Sequence, residues 1–278
     1  MYSHPNSKFF VFLAFVSMLI FFSEACGRSP HVVWRYQTKN HITRPPAISG
    51  NRLFVPSGDH FLYALDSKTG KELWKKDLGN MVLTTPVVNG NRVYAGTASG
   101  NVFALDVSNG KVLWNFKAGG MIDCVPCSDS GGFYFGSYDY YFYKLSYEGN
   151  LLWKLRTGMY VTGGCTIYKD LVLTASWDTN VYGIQRDSGE PVWKHPTGEF
   201  SYGAPIVVQD SAFYSSHERL YGFDAATGKL HFELKTPYSQ NVTYYQNAIY
   251  TNEHGLTRRA LNGKWLSNSP FESFPNFK

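Results

Sequence analysis

Apolar and polar residues alternate along most of this chain in short runs, and the runs come in sets of four divided by Gly, Asn, Asp and Ser. One set reads Thr85 to Val88, Arg92 to Thr97, Asn101 to Asp106 and Lys111 to Phe116. Alternation with period two over so few residues, bounded by turn formers, predicts β-strands, and four in succession predict an antiparallel meander. Helical periodicity is absent. The third and fourth strands are joined by segments such as Asp66-Ser-Lys-Thr-Gly70-Lys71, Asp106-Val-Ser-Asn-Gly110-Lys111 and Asp224-Ala-Ala-Thr-Gly228-Lys229. In each, the Asp side chain is placed to cap the turn backbone and the Gly to take a positive φ.

The sets recur at a fixed interval. A large aromatic closes each at Trp34, Trp74, Trp114, Trp153, Trp193, Phe232 and Trp265, giving steps of 40, 40, 39, 40, 39 and 33 residues. Such a period marks a solenoid, propeller or array, in which one unit cannot bury its apolar face alone. A ring delivered once per unit is expected to wedge between neighbouring sheets, which closes a wheel of blades rather than a flat stack. The predicted fold is therefore all-β: a single β-propeller of four-stranded antiparallel blades over residues 32–278, with six blades and with seven as the alternative. Val32 to Gln37 is an orphan fourth strand preceding the first full unit. It is expected to complete the last blade, leaving no open edge; a separate blade made with the tail after Trp265 would give the seventh.

The run V-Y-x-G-[ST]-x-[DS]-G-x-[VL]-[YF]-A-L-D-x-x-[TN]-G-K-x-x-W resembles the repeat of the pyrroloquinoline-quinone-like (PQQ-like) β-propeller family, over about residues 32–266. Departures are local. The third unit has the shorter turn Ser146-Tyr-Glu-Gly149, the fifth has Phe232 for Trp, and the sixth is degenerate around Thr257-Arg258-Arg259. The resemblance extends to envelope propeller lipoproteins such as the one in the outer-membrane barrel-assembly machinery, a longer protein with eight blades. It also raises a quinone-dependent dehydrogenase as an alternative. Those enzymes use eight blades, an adjacent Cys-Cys pair, a tryptophan floor, calcium held by acidic and amide side chains, and an Asp base. Here no adjacent Cys-Cys occurs and the acidic residues fall mainly in turn columns, so the expectation is a non-enzyme without a cofactor or metal.

Residues 1–25 read as an export signal: Lys8, then a 14-residue apolar run from Phe9 to Phe22, then Ser23-Glu24-Ala25. The run is short for a membrane span. Cys26 directly after Ala25 resembles a lipidated lipoprotein cysteine, with residues 26–31 as a tether, although Ser23 and Glu24 make a poor lipobox. A soluble secreted protein is the alternative. Membrane attachment is expected only through such an anchor. The net charge of +5 is scattered, with no Lys/Arg run longer than two, which excludes a nucleic-acid footprint. Besides Cys26 there are Cys124, Cys127 and Cys165, an odd number. Cys124 and Cys127 start one strand, where residues three apart lie about 10 Å from each other, too far for a disulfide. All three are expected to be small buried thiols.

Two loop sets should share one rim: those between second and third strands, and those linking one blade to the next. Side chains leave the repeat consensus here. Candidate partner-binding residues are His60, Met121, Tyr138, Tyr140, Tyr160, Trp177, Tyr202 and His217, because rings on loop tips give contact area at low entropy cost. Asp59, Asp139 and Asp178 share one column and read as turn formers. The expected function is a non-catalytic envelope scaffold that holds a protein or peptide on this rim; a glycan-binding surface is the alternative, as is packing of the same rings on neighbouring blades.

Overall fold

The computed structural model describes residues 31–200, 203–236, 242–252 and 256–268. Their strands form six four-stranded antiparallel sheets, each in simple sequence order, and this is a six-bladed β-propeller. The blades comprise β1 (Ala47–Ser49), β2 (Arg52–Pro56), β3 (Phe61–Asp66) and β4 (Glu72–Asp77); β5 (Val87–Asn89), β6 (Arg92–Gly96), β7 (Asn101–Asp106) and β8 (Val112–Lys117); β9 (Cys127–Asp129), β10 (Gly132–Gly136), β11 (Tyr141–Leu145) and β12 (Leu151–Arg156). The other three are β13 (Cys165–Tyr168), β14 (Leu171–Ser176), β15 (Asn180–Gln185) and β16 (Pro191–Pro196); β17 (Ile206–Val208), β18 (Ser211–Ser215), β19 (Arg219–Asp224) and β20 (Leu230–Lys235); β21 (Val242–Tyr245), β22 (Ala248–Asn252), β23 (Leu256–Arg259) and β24 (Trp265–Asn268). First strands of successive blades touch one another, β1 to β5 and on to β21, so they lie innermost. Among the described residues no comparable contact joins β21 back to β1.

The apolar core is divided among the gaps between blades. One cluster packs Phe54, Ala64 and Trp74 of the first blade on Val93, Ala95 and Leu105 of the second; another packs Tyr134, Phe142 and Trp153 of the third on Val172, Tyr182 and Ile184 of the fourth. Middle strands such as β10 and β14 are buried on both faces between neighbouring sheets, whereas outer strands such as β8 and β20 bury only alternate residues, and there the period-two pattern matches burial.

A recurrent bulge sets up the aromatic column. Between third and fourth strands the register slips once per blade, as at Ala64/Leu65, where Ala64 faces Trp74 and Leu65 faces Glu72. Leu73 is the extra residue and lies exposed. The indole then reaches the next blade, where Trp74 Nε1 donates to Val107 O (3.0 Å), Trp114 to Tyr147 O (2.9 Å), Trp153 to Arg186 O (3.0 Å) and Trp193 to Ala225 O (3.2 Å). Each ring lies flat on the glycine of that turn. Gly110 has φ 72°, and a Cβ there would come within 2.6 Å of Trp74, so the position needs glycine on two counts. Phe232 lacks the N–H but covers Gly263 in the same way.

Two expectations are corrected at the ends of the chain. Among the described residues Val32 to Gln37 pairs with no strand, and the sixth blade has its four strands without it. Instead Trp34 docks on the first blade, its Nε1 donating to Ser67 O at 3.1 Å and its ring covering Gly70. That turn is therefore taken, and Trp265 finds no turn among the described residues: its side chain is 55 % exposed.

The cysteine expectation is corrected as well. Cys127 and Cys165 form a disulfide with Cα atoms 5.7 Å apart, while Cys124 stays a buried thiol whose pKa burial pushes up to about 12. Cys127 opens β9 and Cys165 opens β13, the inner strands of adjacent blades, so a separation of 38 residues, close to one repeat, brings them together. Closing a loop of that size stabilises by about 4 kcal/mol in the chain-entropy account.

Trp74→Ala is expected to lower unfolding stability in urea by about 3 to 5 kcal/mol. Trp265→Ala should change it by less than about 1 kcal/mol, as for other exposed positions. Equal losses would show that docking on the neighbouring turn is not what makes this column matter.

Candidate partner-binding rim

Both loop sets lie on one rim, and main-chain hydrogen bonds hold them there. Within a blade, the residue leaving the fourth strand donates to the loop between second and third strands: Leu78 N to His60 O (2.9 Å), Ala118 N to Gly100 O (2.9 Å), Thr157 N to Tyr140 O (2.8 Å) and Thr197 N to Thr179 O (2.7 Å). Across blades, Ala98 N donates to Met81 O (2.9 Å), Tyr138 N to Met121 O (3.0 Å) and Trp177 N to Tyr160 O (2.9 Å). Main-chain bonding holds these loops, so their side chains are free to differ from blade to blade.

The aspartate column adds a staple. Asp139 Oδ1 caps its own turn at Tyr141 N (3.1 Å), while Oδ2 accepts from Tyr143 Oη (2.6 Å) and from Gly119 N of the preceding blade (2.7 Å). Asp178 does the same with Asn180 N (3.2 Å), Tyr182 Oη and Gly158 N (2.9 Å), and Asp59 with Phe61 N (3.2 Å), Tyr63 Oη (2.7 Å) and Lys39 N (2.9 Å). These carboxylates form turns and also tie each rim loop to the chain entering it. Burial opposes the charge on Asp178, but hydrogen bonds from Tyr182, Gly158 and Asn180 outweigh it and hold the carboxyl below the usual range. Tyr182 is correspondingly raised, by burial and by donating to Asp178.

Four of the candidate rings meet. Tyr138 and Tyr160 have centroids 4.6 Å apart, Tyr140 and Tyr160 5.2 Å, and Tyr160 meets Trp177 edge-on at 5.6 Å. Phe200, which is not among the candidates, extends the row by packing at 4.9 Å on Trp177, and it remains 45 % exposed. The row crosses from the third blade to the loop entering the fifth. Tyr140 sits at φ 73°, in the turn position that the second blade fills with Gly100 at φ 84°. A left-handed tyrosine costs about 1 to 3 kcal/mol and persists only where the surroundings hold it.

The other candidates stand apart from the row. His60 occupies the equivalent left-handed position, φ 77°, in the first blade and is exposed. Met121 touches the row through the backbone bond to Tyr138, and His217 lies half-buried in the fifth blade's loop. Tyr202 and the lipidation candidate Cys26 lie outside the described residues.

A family model described as outer membrane protein assembly factor BamB matches residues 25–130 and 143–261. The chain belongs to this BamB family. Among solved structures, the fold is similar to that of BamB from Moraxella catarrhalis, with a TM-score of 0.75 and 22 % identity over 85 % of this chain and 76 % of that one. It is also similar to the computationally designed Ika8 protein, with a TM-score of 0.72 and 16 % identity over 84 % of this chain and 76 % of that one. No curated protein matches the sequence.

This BamB-family chain does not fit the quinone site of the dehydrogenases its repeat resembles. Its disulfide joins two blades rather than adjacent residues, and Asp59, Asp139 and Asp178 spend their oxygens on tyrosines and backbone N–H groups. Among the described residues no group of three or more His, Cys, Asp or Glu is placed to hold a metal.

Because the folded carboxyl of Asp178 titrates below its unfolded value near 3.9, its stabilising contribution is complete above that value and is lost as pH falls through the folded pKa. Asp178→Asn should therefore lose less stability than the wild type when urea unfolding at pH 5 is compared with unfolding at pH 3. Identical acid limbs would assign the acid sensitivity to other carboxyls.

Proposed function

We propose that the protein is a non-catalytic scaffold of the bacterial cell envelope that holds a protein or peptide partner on the row Tyr138, Tyr140, Tyr160, Trp177 and Phe200. The observation that carries this reading is the continuity of the row, five rings linked one to the next across neighbouring rim loops. Grouped aromatics on a rigid support are the usual anchors of protein interfaces. Tyr140 strengthens the reading, since a left-handed tyrosine where glycine would serve favours a role beyond folding.

Membership of a family described as an outer membrane assembly factor supports an envelope location and a protein partner. The disulfide agrees, because such bonds persist in oxidising compartments. The leader of residues 1–25 would deliver the chain there, and Cys26 would carry the anchor.

Affinity capture from solubilised envelope is expected to recover a partner with the wild type and to lose it with Tyr138→Ala/Trp177→Ala. Tyr140→Gly should weaken capture too while leaving the melting temperature unchanged or raised, since glycine relieves the strained turn. Identical partner lists from all three would remove the rim from the interface. The mass of the mature N-terminus tests the anchor: acyl chains on Cys26 are expected, and an unmodified cysteine would make the protein a soluble one.

A further inference from the structure

The fifth blade breaks the rim pattern where the aromatic row ends. In the first three blades the loop between second and third strands closes onto the fourth residue along, Ser57 N to Phe61 O, Thr97 N to Asn101 O and Ser137 N to Tyr141 O. In the fifth it closes one residue sooner, Ser216 N to Arg219 O, so His217 and Glu218 fill the turn and no aspartate stands in the staple column. Other groups take over the bonds that an aspartate makes elsewhere. The hydroxyl of Tyr221, which matches Tyr63, Tyr143 and Tyr182, donates to Thr197 O (2.6 Å), and Glu199, from the linker between blades, accepts from Glu218 N (2.8 Å).

The charge on the fourth strand is inverted as well. In the first, third and fourth blades that strand places a lysine over a tyrosine of its own blade: Lys75 over Tyr63 (6.0 Å), Lys154 over Tyr141 (4.3 Å) and Lys194 over Tyr182 (5.2 Å). The fifth blade has Glu233 there instead, opposite Tyr221 in register and ion-paired through Oε1 with Arg219. A recess of about 250 Å³ opens between Thr197 and Glu199 on one side and Arg219, Tyr221 and Glu233 on the other. Small-molecule sites run to roughly 300–1,000 Å³, so this one suits a single long side chain. Among the described residues Glu199 Oε1 and Glu233 Oε2 accept no hydrogen bond. Two lining carboxylates face one guanidinium, and their neighbours Glu218 and Lys235 cancel, so the recess keeps an excess of negative charge.

We propose that this recess is a subsite of the rim that takes a lysine side chain of the bound protein or peptide. Its ammonium lies beside Tyr221 between the carboxylates of Glu199 and Glu233, and so brings the charge that three other blades supply from their own fourth strands. Both carboxylates have an oxygen to offer it. Glu199 immediately precedes Phe200, the last ring of the row, so one extended segment can lay apolar side chains on the rings and end with its lysine in the recess. The inference rests on the reading of the row as the partner surface, and it adds the chemistry of one partner residue to that reading.

The test has two arms. In the first, the mature protein is titrated with Nα-acetyl-lysinamide and followed by amide NMR shifts. Saturable shifts are expected at Thr197, Gly198, Glu199, Arg219 and Tyr221, and none with the uncharged Nα-acetyl-norleucinamide. Glu199→Gln/Glu233→Gln should abolish them while keeping the oxygen that accepts from Glu218 N; Glu233→Lys, which installs the residue the other blades carry, should abolish them too. Equal shifts from both amides, or none from either, overturn the proposal. In the second arm, affinity capture of the partner is expected to fall roughly fivefold with either glutamate variant, the scale of one charge pair with a cation–π contact. Capture lost with Tyr138→Ala/Trp177→Ala but unchanged by the glutamate variants overturns the lysine subsite and leaves the row standing. Capture unchanged by every variant removes the row as the partner surface, and the proposal with it.

Discussion

The structure rests on one repeated contact, an aromatic ring from the fourth strand of a blade lying on the glycine turn of the blade that follows. The contact combines a bulge that sends the ring sideways with a left-handed glycine to receive it, and opposite Trp74, Trp114, Trp193 and Phe232 the strand places Ala or Gly, though Trp153 faces Lys144. Each is local in sequence, so a forty-residue unit carries all the information required to dock on its neighbour. No central core is needed, because the apolar clusters lie in the gaps between sheets. The disulfide ties one such gap at the inner radius, where the sheets converge and the indole, at the outer radius, has no reach.

The rim follows from the same economy. Once main-chain bonds and the aspartate column have fixed the loops, their side chains are released from holding the fold. Where the repeat relaxes, the third and fourth blades place Tyr138, Tyr140, Tyr160 and Trp177 together rather than spreading rings evenly around the rim. That asymmetry is what supports the proposed recognition surface, since rings that served only to fill space would recur with the period of the blades.

What the sequence displayed and what it hid divide along the same line. Strands, turns and the aromatic column are properties of one unit, and they were legible because each copy restates them. The pairing of Cys127 with Cys165 belongs to the relation between units: the short spacing from Cys124 carried no information, whereas a separation of 38 residues, close to one repeat, places two cysteines on adjacent inner strands. The place of Trp34 was hidden for the same reason. An isolated fourth strand can pair with the last sheet or dock on the first, and only the presence of β24 in its own blade excludes the former. Phe200 joins the row through tertiary contact with Trp177, which a loop assignment does not reveal.

Among the described residues the first and sixth blades are unequally covered, and the repeat energetics say how. In a quasi-one-dimensional stack each blade is stabilised by two neighbours, and an end blade by one. At the first blade, segment 32–38 supplies such a contact: Trp34 and Tyr36 cover Val55, Tyr63 and Leu65, and the indole bonds to Ser67 O. At the sixth, Trp265 and Leu266 face solvent and nothing described covers them. Local opening should accordingly cost least at the sixth blade, in keeping with the rule that elements with few buried contacts open first.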